Sequence, residues 1–136
     1  MTDGDSGLCA FRPDAACLSP AMRVRHEPGY VLITVAGEVD YASAAGLRDR
    51  LFALAGTGRH LLVDLDRVSF IDAAGLGVLA AAAGRAAARG GSLRVVCARP
   101  RIRRLFRCTG LDRTVPVADT LRAAAGATGA SIAAVI

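Results

Sequence analysis

Three runs of β-type residues alternate with segments of helical period along this chain, and that alternation restricts its possible folds more than any other feature. "YVLITVAG" (Tyr30 to Gly37) is rich in β-branched residues, and "HLLVDLD" (His60 to Asp66) and "SLRVVCA" (ending near Ala98) are short, largely apolar runs. The first is apolar on both faces and suits a central strand, the second reads as another buried strand and the third as a further strand. From Ser43 the period changes: Leu47, Leu51 and Leu54 recur at helical spacing with Arg48, Asp49 and Arg50 between them, an amphipathic helix for which Ser43 is the expected N-cap. Leu76, Leu79, Ala80 and Ala83 mark a second helix, closed by "RGG" at Arg89 to Gly91. A third is expected from Pro100 to Gly110, with Ile102, Leu105 and Phe106 facing inward and Arg101, Arg103, Arg104 and Arg107 outward. "TVPV" reads as a short edge strand because of Pro116. "DTLRAAAGA" reads as a last helix capped by Asp119 and broken between Gly126 and Gly129.

Ahead of these, "MRVRHE" alternates as a half-exposed edge strand and turns through "PGY" into its neighbour, which predicts an antiparallel pair. The expected fold is therefore α/β: one domain with a mixed, mostly parallel sheet of about four to five strands covered by about four helices. Residues 1–20 carry Asp, Gly, Ser and Pro without period and read as a flexible N-terminal arm. Residues 21–126 read as the domain, and 127–136 as an apolar C-terminal tail.

The opening "MTDGDSG" is acidic and polar, unlike a secretory signal, and the charge-free run Ala73 to Gly84 is too short for a bilayer span. A cytoplasmic protein without membrane contact is expected. Net charge is +5 and every basic residue is Arg; Lys, Asn, Gln and Trp are missing, a usage that fits a GC-rich genome. Cys9, Cys17, Cys97 and Cys108 match no zinc spacing, so no metal is expected. A helix from Arg101 carries Cys108 about 10 Å along its axis. A disulfide needs Cα atoms within about 7 Å, so Cys97 and Cys108 are not expected to pair.

In sheets of this kind, function gathers where strands end and helices begin. Two segments qualify: "GEVDYAS" (Gly37 to Ser43) and "FIDAAGLG" (Phe70 to Gly77). Asp72 is the expected N-cap of the second helix, with Gly75 and Gly77 as close-packing glycines. No dinucleotide or P-loop fingerprint is present. The two histidines, His26 on an edge strand and His60 at the far end of the sheet from Asp72, assemble no catalytic triad. No enzyme activity and no cofactor are expected. The arginine-rich third helix lacks interleaved aromatics for base stacking. It reads as a solvated face or a patch for an acidic protein, without direct DNA binding.

"GEVDYASAAGLRDRL", "VDLDRVSFIDAAGLGVL" and "GGSLRVVCARPRIRRLFRCTGL" together resemble a STAS domain of the bacterial anti-sigma factor antagonists, from about Met22 to Ala125. The resemblance implies a module that binds a kinase-like anti-sigma factor and frees the sigma factor it holds. It also implies phosphorylation within a D-S-[ST]-G block, at the residue before the glycine. Here that residue is Ala74, and its neighbour is Ala73, so neither position carries a hydroxyl. Phosphate adds nearly two negative charges, and a methyl group cannot carry them. The expected partner-binding residues are Glu38, Asp40, Asp72, Ala73, Ala74, Gly75 and Leu76. Ser43 and Ser69, the nearest hydroxyls, are expected to be structural. The alternative is a STAS regulatory or ligand-sensing module controlled by a signal other than phosphorylation.

Overall fold

A computed structural model describes residues 21–127; the expected arm, the tail beyond Ala127, Cys9 and Cys17 lie outside the described residues. Strands β1 (Ala21–Glu27), β2 (Tyr30–Val39), β3 (His60–Ile71), β4 (Ser92–Val96) and β5 (Val117–Ala118) form one sheet in sequence order. β1 pairs antiparallel with β2, while β2 to β5 run parallel. Helices α1 (Tyr41–Ala55), α2 (Ala73–Ala88), α3 (Pro100–Cys108) and α4 (Leu121–Ala127) connect or follow the parallel strands, with a 3-10 turn at Leu111–Arg113. The fold is thus the α/β arrangement read from the alternation of periods.

Alternate side chains of a strand point to opposite faces, and the two faces are used unequally. Val31, Ile33 and Val35 with Leu61, Val63 and Leu65 form the large core, against Leu47 and Leu51 of α1, Leu79 and Ala82 of α2, and Ile102 and Phe106 of α3. On the other face, Tyr30, Leu32, Leu62 and Val96 meet Ala124 and Ala125 of α4. Among the described residues, three helices therefore cover one side and one short helix the other.

β2 and β3 run on past the rest of the sheet. The β3–β4 pairing stops at Asp64 and Val96, whereas β2 and β3 stay paired to Val39 and Ile71. Two register shifts, between Thr34 and Ala36 and between Gly37 and Glu38, accompany this ribbon. Gly37 takes φ +97 there, a backbone that a residue with a Cβ adopts at a cost. These bulges break the period-2 pattern, which is why the sequence suggested strands ending at Gly37 and Asp66.

Ser43 is not the N-cap of α1: Asp40 is, accepting from Ser43 N–H at 3.0 Å while the Ser43 hydroxyl accepts from Asp40 N–H at 3.0 Å. This is a reciprocal capping box in which serine holds the third helical position. At α4, the Thr120 hydroxyl rather than Asp119 accepts from Ala123 N–H, at 3.1 Å, and the helix passes Gly126 to reach Ala127. Arg103 does not share the outward face of α3; it is half-buried and donates to the Cys97 carbonyl at 3.0 Å. Nothing lies within 4 Å of a Cβ built on Gly77, so close packing falls to Gly75 alone.

Candidate functional site

The mouths of α1 and α2 open side by side at the end of the β2–β3 ribbon, and one carboxylate joins them. Asp72 Oδ1 accepts from Gly75 N–H at 3.1 Å and caps α2. Its other oxygen, Oδ2, accepts from Tyr41 N–H at 3.1 Å, the first residue of α1. The Asp72 amide donates to the Val39 carbonyl at 3.1 Å, anchoring this residue to the end of β2. Aspartate suits the position because two oxygens on a short stem satisfy N–H groups that helix starts leave unpaired. Beside it, hydrogen bonds from the Ser43 amide and hydroxyl hold the Asp40 carboxyl below the usual aspartate range.

Gly75 brings α2 down onto the ribbon. A Cβ there would stand 2.7 Å from Val39 Cγ1 and 2.8 Å from Ile71 Cγ1, closer than carbon atoms pack. The expected surface therefore splits into two layers. Glu38 and Ala73 are exposed, and Asp40, Asp72 and Ala74 are half-buried. Gly75 and Leu76 are buried beneath them. Ser43 is buried inside its capping box, while Ser69 is exposed on β3.

Two residues passed over in the sequence complete this end of the sheet. Tyr41 is 85% exposed and Phe70 51% exposed, the two large apolar side chains left in solvent among the described residues. Tyr41 directly follows a cap, and Phe70 precedes inward-pointing Ile71; adjacent apolar residues at a strand end cannot both face the core. Two exposed aromatic rings, three carboxylates and two small side chains thus belong to the strand ends and helix starts at this end of the sheet.

The histidines lie elsewhere. His60 Nδ1 lies 2.9 Å from Ser92 Oγ at the opposite end of β3, and His26 is exposed on β1. Cys97 and Cys108 are both free thiols, the first buried and the second exposed. Burial pushes the Cys97 thiol pKa up. Among the described residues, no three His, Cys, Asp or Glu gather as metal ligands, and no helix is long and apolar enough to cross a membrane.

Residues 21–124 match the family model of the STAS domain. The chain is 35% identical to the anti-sigma-B factor antagonist of Bacillus subtilis (strain 168) over 94 residues, which is 69% of this chain and 86% of that one. Among solved structures, an anti-sigma factor antagonist from Mycobacterium paratuberculosis superposes with a TM-score of 0.74 at 32% identity, covering 82% of this chain and 95% of that one. The Bacillus cell fate determinant SpoIIAA, solved in its phosphorylated form, shares the fold with a TM-score of 0.59 at 22% identity, over 76% of this chain and 96% of that one. Its described residues form a five-stranded mixed sheet with four helices, and with the matched sequence the chain belongs to the STAS domain family, among the anti-sigma factor antagonists.

Proposed function

We propose that this chain binds an anti-sigma factor, kinase-like as the family resemblance implies, on the patch at the mouths of α1 and α2, and so frees a sigma factor. It does this as a cytoplasmic binding module, not an enzyme, within a STAS unit spanning residues 21–126. The observation that carries the reading is the shared Asp72 carboxylate, which fixes both helix mouths to each other and presents Tyr41 beside them. A patch held rigid before contact loses little entropy on docking, and an exposed tyrosine is a frequent anchor of such contacts. Glu38, Asp40, Asp72, Ala73 and Ala74 frame it, with Gly75 and Leu76 supporting it from below.

The second part of the proposal concerns control. Ala74 stands where the family carries its phosphorylated hydroxyl, and Ala73 offers no substitute. Phosphate at residue 74 would crowd Glu38, Asp40 and Asp72 with further negative charge. Without an acceptor, the chain stays in the binding-competent form with respect to this loop.

Titration calorimetry of the full chain against its anti-sigma factor tests both parts. Ala74→Glu places negative charge where the family places phosphate, and its affinity should fall while circular dichroism stays native. Because Ala74 is half-buried, Tyr41→Ala at an exposed position provides a second variant, with an expected loss of about tenfold. Unchanged affinity in both variants would overturn the docking surface.

A further inference from the structure

Beside the helix mouths, the outrunning end of β3 and the flank of α3 enclose a groove of about 470 Å³. Its walls are Phe70 and Ile71 on one side and Ile102 and Leu105 on the other. It exists because β4 ends early. On that side no described strand pairs with β3 beyond Asp64, and α3 stands off from the strand. Arg99 reaches across to the Val68 carbonyl, and Ala98 N–H donates to Asp66 Oδ1 at 2.8 Å, which closes the lower part of the gap. From Ser69 to Ile71 the edge of β3 faces the groove.

The rim is strongly cationic. Arg101 and Arg104 line it, and Arg107 is exposed one turn further along α3. None has a carboxylate partner among the described residues, whose two ion pairs are Arg25–Glu27 and Arg48–Asp49. The one acid in the lining is Asp72, and both its oxygens already accept backbone N–H groups. An apolar trough with unpaired guanidinium groups on its rim and an open strand edge along one wall is chemically selective. Apolar side chains fill the trough, carboxylates meet the arginines in bidentate fashion, and an extended backbone lies along the edge.

We propose that this groove docks an extended acidic segment of a protein partner, anchored by one large apolar side chain between Phe70 and Leu105. The proposal rests on the reading of this end of the sheet as partner-facing, since Asp72 belongs to both surfaces. It adds a second, oppositely charged contact: the helix mouths present carboxylates, and the groove presents arginines. A partner must then carry a matching pair of charges in one orientation, which fixes the register of docking as well as its strength.

The test is selection of displayed random peptides on the full chain, followed by fluorescence titration of the winners. Enriched peptides should combine Asp or Glu with Leu, Ile or Phe. Their affinity should fall about tenfold in Arg101→Glu/Arg104→Glu and in Phe70→Ala, all exposed positions, and fall as salt rises. Bound peptide should slow iodoacetamide labelling of Cys108, which lines the groove. Enrichment without acids, no enrichment, or winners indifferent to both variants overturns the proposal. A concentration-dependent sedimentation shift abolished by the arginine variant would assign the groove to a second copy of this chain. Cys108 protected in the peptide-free chain at low concentration, and released by the same variant, would assign it to a segment of this chain. Either result also overturns the proposal. If peptide binding fails while Ala74→Glu still weakens the anti-sigma factor complex, the groove falls and the helix-mouth reading stands.

Discussion

Replacing Gly75 with alanine adds one methyl group at the place where α2 meets the ribbon. That methyl would stand 2.7 Å from Val39 Cγ1, 2.8 Å from Ile71 Cγ1 and 3.2 Å from Ile71 Cδ1. Carbon atoms pack at about 3.5–4.0 Å, so helix or strand must yield by roughly 1 Å. Neither wall yields easily, because Val39 is fully buried and Ile71 is 4% exposed. Overpacking of this kind costs about 1–3 kcal/mol. Alanine returns at most about 1 kcal/mol of helix propensity, and less in a first turn. The net expectation is a loss of about 1–2 kcal/mol, near 1 M in urea midpoint for a domain of this size. Gly77→Ala and Gly84→Ala provide the controls, since nothing lies within 4 Å of either added Cβ. Each should gain about 0.5–1 kcal/mol from the same propensity. Urea unfolding of the three variants against the parent therefore predicts opposite signs within one helix. A stability gain for Gly75→Ala, or one common shift for all three, would refute the close approach of α2 to the ribbon. Displacing α2 also moves Asp72 relative to Tyr41, so Gly75→Ala should weaken partner binding, whereas Gly84→Ala, far along the helix, should not.

Asp72→Ala removes both N–H contacts of the shared carboxylate and should cost about 1–2 kcal/mol, while Asp72→Asn keeps one acceptor oxygen and should fall between, as read by urea titration. Ala74→Ser should make the loop a substrate for the cognate kinase, and peptide mass spectrometry should find phosphate at residue 74 and none there in the parent. Asp40 has a lowered pKa in the fold, so its contribution is present above the ordinary aspartate value and is lost as pH falls through the folded value. Asp40→Asn should therefore lose less melting temperature than the parent between pH 5 and about pH 3. Cys108 should react with a thiol reagent in the native chain while Cys97, buried and with its pKa raised, reacts on unfolding; peptide mapping of the two separates them.

The sequence carried the order of elements because burial leaves a pattern in each: short apolar runs for β2, β3 and β4, and every third or fourth position for α1 and α2. It carried Asp72 as a cap because aspartate before an apolar helical run has few other uses. What it hid follows from geometry that no period records. The ribbon of β2 and β3 was masked by two bulges, each of which turns inward positions outward and makes "DRVSFI" look irregular. The choice between Asp40 and Ser43 as cap was invisible because a capping box uses both residue types, in either order, three residues apart. The second role of Asp72 at Tyr41 joins residues 31 apart, and the groove depends on β4 stopping early, which only the pairing pattern reveals.

The Asp72 carboxylate has a consequence for how such a protein changes its regulation over time. The geometry of both helix mouths hangs on residue 72 and on the absence of a side chain at residue 75. Neither Ala73 nor Ala74 makes a side-chain hydrogen bond in that framework, since their side chains have no polar atom. A lineage can therefore gain or lose a hydroxyl at 73 or 74 by a single substitution and leave the scaffold standing. On the proposed reading, selection can act on whether the protein is switched separately from whether it is folded: a hydroxyl gained at exposed Ala73, or at Ala74 where it packs partly against the core, changes the circuit while the hydrogen-bonded framework of the helix mouths stays in place.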